Sequence, residues 1–212
     1  MTLFCNNYNI WEWFNPYGEV IIIRELEQRI LEEGQVLPGE VLKVGSFLNQ
    51  QIDTKLIKDM GDEIARLFAG NNVTKILTIE SSGIAIAFAA GLSMGLPVVF
   101  AKKHSTLNLT GNILKSQVYS YTHQQTYTIA VSSDYITPQD TVLIVDDFLA
   151  KGNAINGLIH IVEQAHANLA GCAIAIEKGF QGGGDELRSK GIRIESLAIV
   201  DSMTDDSLEF RH

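Results

Sequence analysis

The chain has 212 residues, 46% of them hydrophobic and 19% charged, the composition of an ordinary globular protein rather than a disordered one. Its net charge of −9 and pI near 5.0 argue against broad binding to nucleic acid or to an acidic membrane surface, while local basic residues leave room for a small anionic ligand. Cys5 and Cys172 are too far apart for a disulfide framework or a zinc spacing, no apolar run is long enough to span a bilayer, and a reducing cytoplasm is the simple reading.

A length of this order fits one α/β domain, read as residues 23–212, with small additions. Residues 1–22 do not match the rest: they hold both tryptophans, Trp11 and Trp13, and no Lys or Arg. They lack the basic start and apolar core of a signal peptide. They read as a disordered extension, a partner-binding arm, or a stretch upstream of a true start near Ile23, a choice that mass spectrometry of the native N-terminus decides.

Residues 24–34 (RELEQRILEEG) predict a short amphipathic helix with Gly34 as its C-cap. Pro38 and Gly39 mark a loop before the segment 41–47. Asp53 is a candidate N-cap for a helix reaching Ala69, with Leu56, Ile57, Met60, Ile64, Leu67 and Phe68 on one side. A strand over 75–79 is followed by Glu80, Ser81, Ser82 and Gly83 and then by a helix of small residues to Met94. A strand over 97–101 leads into 102–116, a polar stretch containing Gly111 that reads as a mobile loop. Segments 117–121 and 126–132 predict a hairpin around His123, Gln124 and Gln125. The rest alternates: a strand at 142–145, a helix from Asn153 to His166, a strand at 172–177, a glycine-rich turn and helix, and a last strand at 193–199. Such alternation predicts right-handed crossovers and a largely parallel sheet.

The most informative stretch is 141–154, TVLIVDDFLAKGNA. Its continuous apolar run predicts a strand buried on both faces. The run ends on two carboxylates, Asp146 and Asp147, where open α/β sheets bind their ligands. The loop through Gly152 then feeds backbone N–H groups into a helix N-terminus, a natural anion site. Acids beside an anion cradle suit a ligand that carries both hydroxyls and a phosphate. The plainer alternative is a pair of capping acids and a common strand-to-helix turn.

VLIVDDFLAKGNA resembles the ribose-phosphate-binding signature of the type I phosphoribosyltransferases. The segments 44–53 (VGSFLNQQID), 78–85 (TIESSGIA), 98–104 (VVFAKKH) and 176–180 (IEKGF) are similar to those of the bacterial xanthine-using group. The likeness spans about 24–205. Many family members carry threonines in the phosphate loop, where this chain reads Ala150, Lys151, Gly152, Asn153 and Ala154, and this departure favours the xanthine group.

The resemblance implies a type I phosphoribosyltransferase fold, a mainly parallel sheet flanked by helices with a small N-terminal hood. It implies transfer of the 5-phosphoribosyl group from 5-phosphoribosyl-1-pyrophosphate (PRPP) to xanthine, with Mg²⁺ carried on PRPP. Asp146 and Asp147 would be the catalytic acids on the ribose hydroxyls. Ala150, Lys151, Gly152, Asn153 and Ala154 would hold the 5-phosphate, and Ser81, Ser82, Lys102 and Lys103 the pyrophosphate. Leu42, Asn49 and Lys178 would meet the base, with Phe148 as a candidate wall. A homodimer is also implied. Taken alone, Lys178 and the Lys102–Lys103 pair read as surface lysines, and Ser81–Ser82 equally well as a capping turn. The five histidines show no metal-ligand spacing, no protein metal site is expected, and Gln181 to Gly184 reads as a flexible turn. A guanine- or hypoxanthine-using transferase is the nearest alternative. A PRPP-sensing regulator is a further one, though it lacks a basic segment for DNA.

Overall fold

The structure, a computed structural model, describes residues 21–103, 112–120, 124–204 and 207–212. Helix α1 (Ile21–Glu33) begins inside the stretch read as an extension, whose residues 1–20 lie outside the described ones. Two strands of three residues, β1 (Gln35–Leu37) and β2 (Val41–Lys43), form an antiparallel hairpin apart from the main sheet. A π-helical turn, Gly45–Asn49, buries Phe47 and Leu48. Leu26, Ile30, Leu42, Val44, Phe47 and Leu48 share one core with the sheet, so the hood is fastened by apolar burial.

Helix α2 (Thr54–Leu67) begins where the sequence predicts. The Asp53 carboxylate accepts from the backbone N–H groups of Lys55 and Leu56, each at 3.1 Å, and from Arg29 Nη1 at 2.9 Å. These bonds hold the Asp53 carboxyl below its ordinary range, the Leu56 N–H contributing most.

The main sheet takes β3 (Lys75–Ile79), β4 (Val98–Lys103), β5 (Ile113–Ser120), β6 (Gln125–Ser132), β7 (Thr141–Leu149), β8 (Asn168–Lys178), β9 (Ile194–Met203) and β10 (Leu208–Phe210) in the order β10-β9-β8-β7-β3-β4-β6-β5. The inner run from β9 to β4 is parallel, while β10, β6 and β5 add antiparallel edges. Helices α3 (Gly83–Met94), α4 (Asn153–Gln164) and α5 (Gly183–Ser189) connect them. Along β7, Leu143 and Val145 face one core and Val142 and Ile144 the other. That two-sided burial is what a continuous apolar run encodes.

Several boundaries differ from expectation, β8 and β9 among them, which run past 172–177 and 193–199. β7 runs on through Asp146 and Asp147 to Leu149, because Asp146, Phe148 and Leu149 keep their register with Ile174, Ile176 and Glu177 of β8. β4 continues through Lys103, and β5 starts at Ile113, so the polar stretch is ordered at both ends, by pairing with β6. Residues 104–111 of it, and 121–123 of the hairpin, lie outside the described residues. β10 adds a strand after the one read as last. Among the described residues no helix is long and apolar enough to cross a membrane.

Candidate active site

The carboxyl ends of the parallel strands carry the predicted residues. Asp146 is 4% exposed and Gly83, the first residue of α3, packs against it. The Asp147 N–H donates to Asp146 Oδ1 at 3.0 Å, and the Asn49 side chain lies near enough to the half-buried Asp147 to favour its anion. Burial raises the Asp146 carboxyl well above its ordinary value, and the neighbouring Asp147 charge raises it further. Burial also raises Asp147, against the hydrogen bonds that favour its anion. Two carboxylates crowded in this way favour partners that bring hydroxyl donors, as a ribose does.

The loop after β7 turns at Gly152, which has φ 81° and caps α4 with no side chain of its own. Asn153 Nδ2 donates to the Tyr119 carbonyl at 2.9 Å, tying the loop to β5. The first turn of α4 contains no acidic side chain, so its unpaired N–H groups and dipole are available to an anion. Behind the loop, the Gly183 N–H donates to the Ala150 carbonyl at 3.1 Å. A Cβ on Gly183 would stand 2.3 Å from that carbonyl oxygen and 2.7 Å from the Gly152 nitrogen. Gln181 ends a short 3₁₀ turn and Gly183 opens α5, fitted against the loop after β7. Nearby, Glu177, fully buried, accepts from Arg188 at 2.8 and 2.6 Å and from Ser196, fixing the end of β8.

Between β3 and α3 the Glu80–Ser81 peptide is cis. Ser82 stands at the N-cap of α3 without a side-chain capping bond, so the capping role open to it in the sequence is not taken up. Glu80 Oε1 accepts from the Lys103 N–H, which joins this turn to the end of β4. Lys103 lies near enough to Asp146 to favour its anion, and its Nζ sits 5.5 Å from the Tyr127 ring centroid. Lys102 and Lys103 are consecutive strand residues and face opposite sides, so only Lys103 joins this cluster. Tyr127, at a strand position that reads as ordinary packing, has its phenol raised by burial and then by the Asp146 charge.

At the hood end, Lys178 Nζ lies 5.7 Å from the Phe148 ring centroid and donates to the Glu40 carbonyl at 2.7 Å. Burial lowers the Lys178 ammonium against the opposing pull of Glu40. The side chain of Leu42, 6% exposed, packs in the hood core, while Asn49 reaches Asp147. A cavity of about 830 Å³ adjoins the site between the π turn, α2 and α3. Asn49, Ser81 and Ser82 line its inner end and Ile52, Phe88 and Leu92 its outer wall.

Among the described residues no group of three His, Cys, Asp or Glu is placed to hold a metal. Asp146 and Asp147 offer at most two hard oxygen ligands, a set that fits Mg²⁺ only if waters and substrate phosphate supply the rest. Cys172 is fully buried and its thiol is pushed up to about 12 by burial and then by Asp146. That environment suits packing rather than nucleophilic attack.

A strand-borne acid pair, a glycine loop that opens a helix and a second strand-to-helix turn lie together at the carboxyl ends of the parallel strands, where open α/β sheets bind their ligands. The phosphoribosyl transferase domain model matches residues 43–195, and the chain belongs to that family. Its curated relatives include the xanthine phosphoribosyltransferase of Oceanobacillus iheyensis, 52% identical over 186 residues, 88% of this chain and 96% of that protein. The protein of the same name from Pseudomonas entomophila is 55% identical over 178 residues, 84% of this chain and 94% of that one. Among solved structures, the adenine phosphoribosyltransferase of Trypanosoma brucei matches with a TM-score of 0.73 at 17% identity, over 89% of this chain and 83% of that one. That of Rhodothermus marinus gives 0.69 at 23% identity, over 84% and 98%. At such identities the shared property is the fold, the type I phosphoribosyltransferase architecture.

Proposed function

We propose that the chain is a purine-salvage enzyme that transfers the 5-phosphoribosyl group of PRPP to xanthine, giving xanthosine 5-monophosphate and pyrophosphate. The observation that carries this is identity of 52% and 55% to xanthine phosphoribosyltransferases across nearly their whole length. A purine nitrogen displaces pyrophosphate from C1 as positive charge develops on the ribose. Asp146 and Asp147 accept hydrogen bonds from the ribose hydroxyls and favour that charge. Ala150, Lys151, Gly152, Asn153 and Ala154 bind the 5-phosphate through backbone N–H groups. Ser81, Ser82 and Lys103 hold the departing pyrophosphate, and Lys102 contributes only if the end of β4 rearranges. Lys178 meets a carbonyl of the base against Phe148, while Asn49 reads the 2-position and Leu42 contributes from the hood. Mg²⁺ arrives on PRPP, whose phosphates give it ligands and share its charge.

A homodimer formed over the α2–α3 cavity is part of this reading. It is supported by Phe88 and Leu92, which are 59% and 68% exposed on α3. Cytoplasmic residence rests on the buried free thiol of Cys172. The test is a PRPP-dependent turnover assay across xanthine, guanine, hypoxanthine and adenine. Xanthine is expected to give the highest kcat/KM; a guanine or hypoxanthine preference moves the assignment to those bases, and an adenine preference overturns it.

A further inference from the structure

The hood meets the far end of the sheet through Glu40. This residue closes the turn of Pro38, Gly39 and Glu40 between β1 and β2. Its carbonyl oxygen accepts from Lys178 Nζ at 2.7 Å and its carboxylate from Gln181 Nε2 at 2.6 Å, across 138 and 141 positions of sequence. Gln181 lies two positions before Gly183, the glycine that packs on the loop after β7, so one hood residue grips both the base lysine and the turn behind that loop. Glu40 also stands at φ 61°, directly after Gly39 at φ 82°. A glycine would adopt that left-handed conformation without steric cost, and a glutamate there implies a use for its side chain.

An ammonium has three protons to donate and no preferred direction of its own. With one proton on the Glu40 carbonyl and the Phe148 ring against the cation, Lys178 loses most of its rotational freedom. We infer that Glu40 is a positioning residue for base recognition: it orients the Lys178 ammonium toward a base carbonyl and anchors that orientation through Gln181. A cation held in one direction favours a carbonyl acceptor at the 6-position over an amino donor. The inference rests on the reading of Lys178 as the residue that meets the purine.

The test combines steady-state kinetics with hydrogen–deuterium exchange on the full chain. Glu40→Gly keeps the backbone carbonyl and the left-handed turn but removes the anchor. It is expected to raise the KM for xanthine roughly three- to tenfold, with kcat and the KM for PRPP within about twofold. Glu40→Gln, whose amide oxygen still accepts from Gln181, is expected to restore the parent KM. Lys178→Ala and Gln181→Ala are each expected to raise deuterium uptake in the 35–43 hairpin. An unchanged xanthine KM in Lys178→Ala would sink the base-site reading and this inference with it. A raised KM in Lys178→Ala with none in Glu40→Gly removes the role of Glu40 alone. Unchanged uptake in both variants overturns the anchor whichever base is turned over.

Discussion

On the proposed reading, Asp146 serves the ligand at the expense of the empty protein. Its carboxyl is raised by burial, so the folded site holds its proton to a higher pH than the unfolded chain does. The folded state then binds more protons than the unfolded state once pH exceeds the unfolded carboxylate value of about 3.9, and stability falls as pH rises until the buried carboxyl has ionised. Asp146→Asn is therefore expected to raise the melting temperature of the ligand-free protein at pH 7, on the order of 2–4 °C, while turnover drops. The pH dependence of urea unfolding should be flatter in the variant than in the parent on the alkaline side of pH 4. Asp147 is half-buried and near Asn49, so its replacement separates differently. Asp147→Asn is expected to lower kcat by about 10²-fold or more with little change in the unfolding midpoint. Turnover that survives unchanged would take Asp147 out of the site.

At the level of elements, the phosphate loop depends on a partner that sequence reasoning missed. Gly183→Ala sets a methyl against the Ala150 carbonyl and the Gly152 nitrogen, backbone atoms that cannot step aside cheaply. It is expected to raise the KM for PRPP at least tenfold and to cost about 1–3 kcal/mol of stability, read by PRPP titration and urea melts. Composition alone could not have found this contact, because the three consecutive glycines Gly182, Gly183 and Gly184 read as freedom whether or not another backbone lies against them. What was legible had a local cause. Asp53 announced α2 because a carboxylate before an apolar-periodic run can cap only one way, and residues 142–145 announced β7 because helices cover both its faces. The extension of β7 through Asp146 to Leu149 was not legible, since it depends on pairing with β8. The same holds for β5, whose first residues Ile113 and Leu114 pair with Ser132 and Val131, and for the three-residue strands of the hood. Of the site, the acids and the phosphate loop lay in one contiguous stretch. Glu40, Gln181 and Tyr127 come to it from distant positions and carry no local signal.

For the whole molecule, the proposed dimer over the apolar wall beside the Glu80–Ser82 turn would tie assembly to activity. Phe88 and Leu92 expose more than half their surface on a helix whose first turn borders the site. Phe88→Asp is expected to shift the protein from dimer to monomer in sedimentation velocity, and to lower kcat/KM for PRPP because Ser81 and Ser82 line the same cavity. A parent that sediments as a monomer would refute the pairing.

The hood hairpin belongs to a sheet of its own, while the acids and the phosphate loop belong to the main one. On the proposed reading, the two substrates fall to different stretches of chain: PRPP to β7 and the loop after it, the base to the hood and the end of β8. Substitutions near 38–49 and 178–181 are then expected to alter the choice of purine while leaving the sugar-phosphate chemistry in place. Asn49, near enough to Asp147 to favour its anion, is the point where such a change would first be felt by both.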